Sequence, residues 1–189
     1  MKKLIKSIAI VALVFTAFSC SKEEQKTYPK ASIAKLATVT PELSDFKEAL
    51  DVTGLTATFE DAGNYTVFVP NNTAFAAILG GMTVTEFNTA NPGVLATVLK
   101  YHVIANAGVL SKDLTNNQTV ATLQGQNITV NLIPNTYYPL IDPDLNTYEQ
   151  TSIFIKDAMN NSSRVFARDV MCTNGVMHII DAVLMPANN

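Results

Sequence analysis

The spacing of apolar residues predicts helices in the first half of the chain. After Thr40-Pro41, the side chains of Leu43, Phe46 and Leu50 fall on one face of a helix, and Gly54 ends it. Pro suits the first turn of a helix because its missing N–H has no partner there. Similar capping patterns predict four more short helices, which begin after Ser32, Asn72, Thr83 and Asn91.

Short β-rich runs separated by turn residues predict strands, most of them in the second half of the chain. The first run, residues 65–69, is closed by Pro70. The turn sequence between the two runs that follow predicts a hairpin. The later runs lie at residues 119–123, 128–132, 153–155 and 164–171.

The last predicted strand, residues 176–185, is apolar on both of its faces. Asn174-Gly175 forms a turn before it, and Pro186 ends it. A strand with two apolar faces is covered on both sides, so we expect it near the middle of a sheet. Early helices, late strands and the absence of an internal repeat predict one α+β domain over residues 32–187.

Composition agrees with a globular chain and excludes one class of partner. Of the 189 residues, 48% are hydrophobic and 15% are charged, which favours a packed core over disorder. The formal net charge is −3, and no cluster of Lys or Arg lies outside the first residues. Nucleic acid is therefore not expected as a partner.

The N-terminus has the pattern of a bacterial lipoprotein leader. Three Lys precede a short apolar run, and the small residues before Cys20 resemble a lipobox, which predicts a signal peptide at residues 1–19 and lipid attachment at Cys20. An ordinary secretory leader with an incidental Cys is the alternative. Residues 20–31 are polar and predict a tether. Lys22-Glu23-Glu24 is similar to a surface-export signal of Bacteroidetes lipoproteins, although a solvated linker would look the same. We expect the protein in the cell envelope, anchored to the outer membrane, with the cell surface and the periplasmic side as the two alternatives for its orientation.

The sequence offers little that indicates catalysis. His102 and His178 lie in apolar segments, where a hydrogen-bonded neutral imidazole is tolerated, so both are predicted to be structural. His178 and Asp181 are three residues apart on a predicted strand, so their side chains point to opposite faces. With Cys20 acylated, Cys172 has no disulfide partner and is predicted to be a small buried thiol.

No cofactor or metal site is predicted. Residues 142–146 begin like an EF-hand loop, with oxygen ligands at the first, third and fifth positions. Thr147 stands where that loop needs Gly, and Ile153 stands where it needs a bidentate Glu. A polar surface turn explains the segment better.

Three ordered segments carry a resemblance to a known family. The segments NYTVFVPNNTAF (64–75), VLKYHVI (98–104) and NGVMHIIDAVLMP (174–186) are similar to the signature segments of fasciclin domains. The resemblance covers residues from about 32 to 186. It implies a β wedge or sandwich with short helices packed on it, in a single-domain bacterial lipoprotein.

The resemblance also implies a function and two contact elements. Fasciclin domains are non-enzymatic modules linked to adhesion, and animal members contact partners through a Tyr-His segment and an Asp-Ile element. Tyr101-His102 match the first element and Asp169-Val170 match the second, with Val in place of Ile. From the residues alone, structural roles for all four remain open, because Tyr101 also suits a core and Val170 suits a strand.

Residues 134–151 are predicted to form an inserted surface loop. Three Pro residues break regular structure there, and fasciclin domains usually make this connection with a much shorter turn. Tyr side chains suit contact surfaces, so the loop is a candidate site for a protein or glycan ligand. The alternative is that the rings cover a sheet edge. The Tyr residues concerned are Tyr137, Tyr138 and Tyr148.

The expected function is therefore that of a lipid-anchored binding or adhesion module without catalytic activity. Its predicted partners are the membrane, through the anchor, and an unknown protein or glycan. The alternatives are an enzyme acting on envelope glycans and an accessory subunit of a surface complex.

Overall fold

The computed structural model describes residues 31–134 and 151–187, and it has the predicted α+β architecture. Among the described residues, short helices dominate as far as Tyr101 and strands dominate after it, in the order that the sequence predicts. Two further 3-10 helices lie at Pro41–Leu43 and Ser111–Asp113. The α-helices are α1 (Ile33–Val39), α2 (Ser44–Val52), α3 (Thr56–Glu60), α4 (Asn72–Leu79), α5 (Val84–Ala90) and α6 (Val94–Tyr101). No helix among the described residues is both long and apolar enough to span a bilayer.

Seven strands form one sheet in the order β2-β1-β7-β6-β5-β4-β3. The last strand runs parallel to β1 and antiparallel to β6, and it lies inside the sheet as predicted. The Leu123 N–H, just after β3, donates to the Val103 carbonyl of β2 at 2.7 Å, so the two edges of the sheet meet and nearly close a barrel. The strands are β1 (Tyr65–Pro70), β2 (Val103–Ile104), β3 (Thr119–Ala121), β4 (Asn127–Pro134), β5 (Thr151–Lys156), β6 (Ser162–Cys172) and β7 (Gly175–Ile180).

The two faces of the sheet bury separate apolar clusters. Alternation along β1 divides its side chains, with Val67 and Val69 facing the helices and Phe68 facing the interior of the sheet. The helix-side cluster includes Phe46 and Phe75. Because both clusters are built from residues 33–184, the described part of the chain carries its own hydrophobic core.

Asn174 joins the start of the last strand to the helical layer. Its side-chain oxygen accepts from the N–H of Ile33, and its amide nitrogen donates to the carbonyls of Phe59 and Asp61, at 2.8–3.1 Å. Its backbone carbonyl also accepts from the N–H of Tyr65. This buried turn therefore positions α1, α3 and β1 together before β7 begins.

Several predicted boundaries were wrong: α6 begins at Val94 behind Gly93 and not after Asn91, β3 ends at Ala121, and β5 extends to Thr151 and Lys156. Two further errors have a clear physical cause. The strand predicted over residues 176–185 ends at Ile180. Beyond Ile180, hydrogen bonds from the Ser163 side chain of β6 and from the Asp181 carboxylate take the place of backbone hydrogen bonds between β6 and β7. The Asp181 carboxylate accepts from the Arg164 N–H at 2.8 Å, and the Ser163 hydroxyl accepts from the Ala182 N–H at 3.0 Å.

The cap of α4 is Asn71 and not Asn72, since the Asn71 side chain accepts from the Ala74 N–H at 2.8 Å. Asn72 instead accepts from the Asp45 N–H and donates to the Pro41 carbonyl, so it secures the start of α2. Helix α3 and strand β2 were not predicted, since each is only a few residues long.

Candidate functional site

A bulge in β6 places Asp169 at a junction of three segments. Asp169 has a φ of 60°, a left-handed conformation that is uncommon outside Gly and Asn, and the pairing of β6 with β7 shifts register beside it. Its carboxylate accepts from the backbone N–H of Ser111 at 2.6 Å and from the Ser111 hydroxyl. The Asp169 side chain therefore ties the segment after β2 to the sheet.

His178 supports this bulge from the neighbouring strand. Its Nδ1 accepts from the Asp169 N–H at 3.2 Å, and its Nε2 lies 3.0 Å from the Val109 carbonyl, which can only accept, so Nε2 carries the proton. The ring also stacks on Phe68, with centroids 5.5 Å apart. Burial lowers the pKa of His178, although the Val109 carbonyl and the Asp169 carboxylate oppose that shift. The ring is neutral and structural, as predicted.

Beside Asp169 lies a groove of about 350 Å³ that also reaches the base of the predicted loop. The loop base is well defined, because Pro134 of β4 pairs with Thr151 of β5. The Arg168 guanidinium lies 3.4 Å from the Thr151 carbonyl. The groove therefore combines cationic, hydroxyl and apolar groups with a single carboxylate among its described lining residues: Ser111, Lys112, Leu114, Leu132, Thr151, Ile153, Arg168 and Asp169.

Tyr101 and His102 lie at the opposite end of the sheet from this groove. The Tyr101 hydroxyl donates to the Asn127 carbonyl at 2.8 Å and accepts from the Ala158 N–H at 2.9 Å. Asn127 begins β4, whereas the β4 residue that lines the groove is Leu132, five residues or about 17 Å further along the strand. The structure does not combine the Tyr-His element with Asp169-Val170 in one site.

His102 is buried as completely as His178, with the opposite ring nitrogen protonated. Its Nδ1 lies 2.7 Å from the Val98 carbonyl and carries the proton, while its Nε2 accepts from the Leu184 N–H at 2.9 Å. Tyr101 is 0% exposed and His102 is 1% exposed, so direct contact with a ligand by either side chain conflicts with their burial. Their contacts match the structural alternative stated above.

Acid should destabilise the fold through these two imidazoles. Burial lowers the pKa of His102 to about 4, against the opposing effects of the Val98 carbonyl and Asp157, while an unfolded His titrates near 6.5. The unfolded chain therefore binds protons first, so the stability is complete above about pH 6.5 and declines as the pH falls towards 4.

We expect His102 alone to lower the free energy of unfolding by about 2–3 kcal/mol between pH 7 and pH 4.5. Urea unfolding at the two pH values measures the loss, and His102→Asn should reduce it by about 2 kcal/mol. An unchanged difference between the two pH values in His102→Asn would assign the acid sensitivity to other groups.

A larger cavity, about 580 Å³, lies elsewhere and contains none of the predicted contact residues. It is formed where the start of α6 meets the segment after β7, with Val94 and Met185 on opposite sides. The Gln126 side chain holds the segment after β7 in place at Ala187. Its amide oxygen accepts from the Ala187 N–H at 2.7 Å, and its amide nitrogen donates to the Ala187 carbonyl at 3.0 Å. Its described lining residues carry no charged side chain, so we regard the smaller groove at Asp169 as the better candidate.

The remaining predicted contacts have different outcomes. Val170 is half-buried and packs against the helix-side cluster, so it contributes more to the core than to the groove. Tyr137, Tyr138 and Tyr148, and the lipid-attachment residue Cys20, lie outside the described residues. Sequence reasoning missed Ser111 and Lys112, which nothing in the local pattern marks.

Cys172 is half-buried, and burial raises the pKa of its thiol to about 11, so the thiol stays protonated at neutral pH.

Comparison with known proteins gives a family match over most of the chain. The family model described as the fasciclin domain matches residues 41–186. Protein sll1483 of the cyanobacterium Synechocystis is 25% identical over 182 residues, covering 95% of this chain and 87% of its own length. Human Stabilin-1 is 27% identical over 158 residues, covering 84% of this chain, which spans only 5% of Stabilin-1.

A fungal relative and a solved structure extend the comparison. The aurofusarin biosynthesis cluster protein S of Gibberella zeae is 30% identical over 169 residues, covering 77% of this chain and 40% of its own length. A FAS1 domain pair from the insect cell adhesion molecule Fasciclin I superposes with a TM-score of 0.64 at 16% identity, covering 83% of this chain and 51% of the pair. At that identity the superposition establishes the fold alone.

Proposed function

Because this chain belongs to the fasciclin domain family, we propose that it is a binding or adhesion module of the cell envelope without catalytic activity. The family match over residues 41–186 carries this proposal. The name of the superposed insect protein, a cell adhesion molecule, is consistent with it.

The chemistry of the described residues supports binding over catalysis. Both imidazoles use both ring nitrogens in hydrogen bonds with the backbone, so neither is free to act as a general base. An enzyme acting on glycans generally needs two carboxyl groups that flank the scissile bond. Asp169 is the one carboxylate among the described lining residues of the groove, and Ser111 already occupies it.

The recognition end of the domain is proposed to be the groove beside Asp169 together with the 134–151 segment, whose two ends meet beside it. Leu132 and Thr151 line the groove, and Thr151 pairs with Pro134, so the segment leaves the sheet next to the groove. Lys112 and Arg168 suit carboxylate groups of a protein or of a glycan. The network of Asp169, His178 and Ser111 holds this end rigid, which favours binding because less conformational entropy is lost.

The domain is proposed to be held at the outer membrane by acylated Cys20, with residues 20–31 as the tether. The charged start, the short apolar run and the small residues before Cys20 support this arrangement. In that form residues 32–187 are the single folded unit exposed to the envelope or to the cell exterior.

The anchor is tested by replacing Cys20 with Ala and fractionating the cells. After the membranes are washed with high salt, which weakens attachment by charge, we expect the variant to leave the membrane fraction, because the tether and the folded domain have no other covalent hold on the bilayer. Cys172→Ala is the matched control, since it removes the other Cys of the chain, and it should stay membrane-bound. Equal membrane retention of Cys20→Ala and the control would refute the anchor.

The binding function is tested with isolated cell envelopes and a labelled chain that begins at Ser21. We expect saturable binding that an excess of unlabelled chain displaces. Binding that rises linearly without saturation, or glycan cleavage by the purified chain, would contradict a non-catalytic binding module.

A further inference from the structure

The outward face of strands β4, β5 and β6 exposes an apolar patch that nothing in the described chain covers. Ile133 is 52% exposed and Phe166 is 51% exposed, which is unusual for strand residues of this size. Phe154, which is half-buried, lies between them. Large exposed apolar groups that cluster on one face usually mark a contact surface.

The strand register brings these three side chains together. Asn131 pairs with Phe154, and Phe154 pairs with Arg164, so those three residues form one row across the sheet. Ile133 and Phe166 are each two residues from that row on the same face, which makes both of them diagonal neighbours of Phe154. Buried residues on the intervening positions, Ile128, Val130, Ile153, Ile155 and Val165, confirm which face points outward.

The same face is cationic in a protein with a formal net charge of −3. Lys156 and Arg164 point outward beside the patch, and the exposed Asp181 lies at its edge next to Arg164. The outward positions of β4, of β5 and of β6 as far as Phe166 carry no Asp or Glu: Asn127, Thr129, Asn131, Ile133, Ser152, Phe154, Lys156, Ser162, Arg164 and Phe166. Apolar side chains flanked by cations fit a surface that is both apolar and negatively charged.

We propose that this face, the β4–β5–β6 patch, lies against a bilayer that contains anionic lipid. Phe166 and Ile133 carry no polar side-chain atom, so they gain from entering hydrocarbon and could make no hydrogen bond to a glycan. Lys156 and Arg164 would lie at the level of the headgroups, where each cation contributes attraction to anionic lipid.

The tether length supports the bilayer as the occupant, and this step rests on the lipid anchor proposed above. Ser21 to Lys30 is ten residues, which reach at most about 36 Å when fully extended. The domain is thereby confined within roughly its own diameter of the membrane, so even weak affinity for lipid would seat the patch. A symmetric pairing of two patches is disfavoured, because it would bring the Lys156 and Arg164 of both copies together.

Vesicle sedimentation with the chain that begins at Ser21 tests the patch without the anchor. The probes are vesicles of phosphatidylcholine alone and of phosphatidylcholine with 30 mol% phosphatidylglycerol, a composition chosen within the roughly physiological anionic range. We expect binding to the anionic vesicles only, weakened by added salt. Lys156→Gln with Arg164→Gln should lower binding by about fivefold for each cation, and Ile133→Thr with Phe166→Thr should also lower it several-fold.

Matched controls change the same chemistry on the helical side of the domain. Lys35→Gln with Lys100→Gln alters the net charge equally, and Val39→Thr with Met82→Thr removes exposed apolar groups, so both should bind like the parent chain. Equal binding by the patch variants and these controls would overturn the proposal. Absence of binding to anionic vesicles would overturn it too, whether the chain instead self-associates in sedimentation velocity or binds an anionic polysaccharide such as alginate. Each failure would leave the Cys20→Ala result unaffected, so the anchor and the patch fail separately.

Discussion

Gly175→Ala is expected to destabilise this domain more than any other substitution considered, by about 4 kcal/mol or more. A Cβ at this position would lie 2.1 Å from the Tyr65 carbonyl oxygen and 2.7 Å from its nitrogen. Both atoms are backbone, so no side chain can move aside. Gly175 also has a φ of 151°, which a residue with a Cβ rarely adopts.

The damage would fall on the centre of the sheet. Gly175 pairs with Tyr65 at the first position of the parallel β1–β7 ladder, so relieving the clash separates the two strands that the helical layer packs on. Urea denaturation measures the loss in the free energy of unfolding. A variant that yields no folded protein also shows that loss. Gly80→Ala is the matched control, because Gly80 also has a positive φ, 61°, but has nothing within 4 Å of the added carbon.

The control should lose only about 1 kcal/mol, the usual penalty of a left-handed conformation for Ala. If Gly175→Ala were as stable as Gly80→Ala, Gly175 would not be required for the close packing of β1 against this turn.

Asn174→Ala should give the next largest loss, about 3 kcal/mol or more. The substitution removes one acceptor and one donor group. It leaves two buried backbone groups without these partners, the N–H of Ile33 and the carbonyl of Phe59, as well as the carbonyl of the exposed Asp61. Each buried group left unpaired costs about 1–3 kcal/mol. Because these groups belong to α1 and to the end of α3, the loss should appear as loosening of the helical layer.

Hydrogen exchange would locate that loosening, with the amides of α1 expected to lose protection first. Asn88→Ala is a suitable control, since Asn88 makes a single longer bond, 3.3 Å to the Val52 carbonyl, and is half-buried. If Asn174→Ala were no less stable than Asn88→Ala, the buried amide would not be the link between the two layers.

The features that sequence could predict are those that depend on neighbours in the chain. The capping box of α5 is one, since Thr83 and Glu86 exchange the predicted hydrogen bonds. The position of β7 inside the sheet is another, because its two apolar faces leave no other arrangement. The extent of β7 was overestimated because a local pattern does not reveal that Asp181 and Ser163 would replace its ladder partners.

The candidate site could be predicted only in fragments, because it depends on contacts between distant residues. Ser111 lies 58 residues from Asp169, and Val109 lies 69 residues from His178. Asp tolerates the left-handed conformation better than most residues, but no local turn sequence marks Asp169 as adopting it. Tyr101 contacts the first residue of β4, whereas Asp169 shares its groove with Leu132 near the other end of that strand, and motif matching does not convey this separation.

Recognition is proposed to lie at the end of the sheet that carries the Asp169 groove and the 134–151 segment. Replacing residues 135–150 with Asn-Gly tests it, because Pro134 and Thr151 already pair and a two-residue turn can join them. The background should carry Ile133→Thr and Phe166→Thr together with Lys156→Gln and Arg164→Gln, so that contact with lipid contributes as little as possible. The control keeps the full segment and changes only Tyr137, Tyr138 and Tyr148 to Ser.

The measurement is the affinity of the labelled chain for isolated cell envelopes. Our account predicts that the shortened domain unfolds at the urea concentration of its parent and binds at least about tenfold more weakly, a loss of about 1.4 kcal/mol. The triple Tyr→Ser control should lose part of the affinity if the rings make the contact. A folded, shortened domain that binds envelopes with the affinity of its parent would contradict the account.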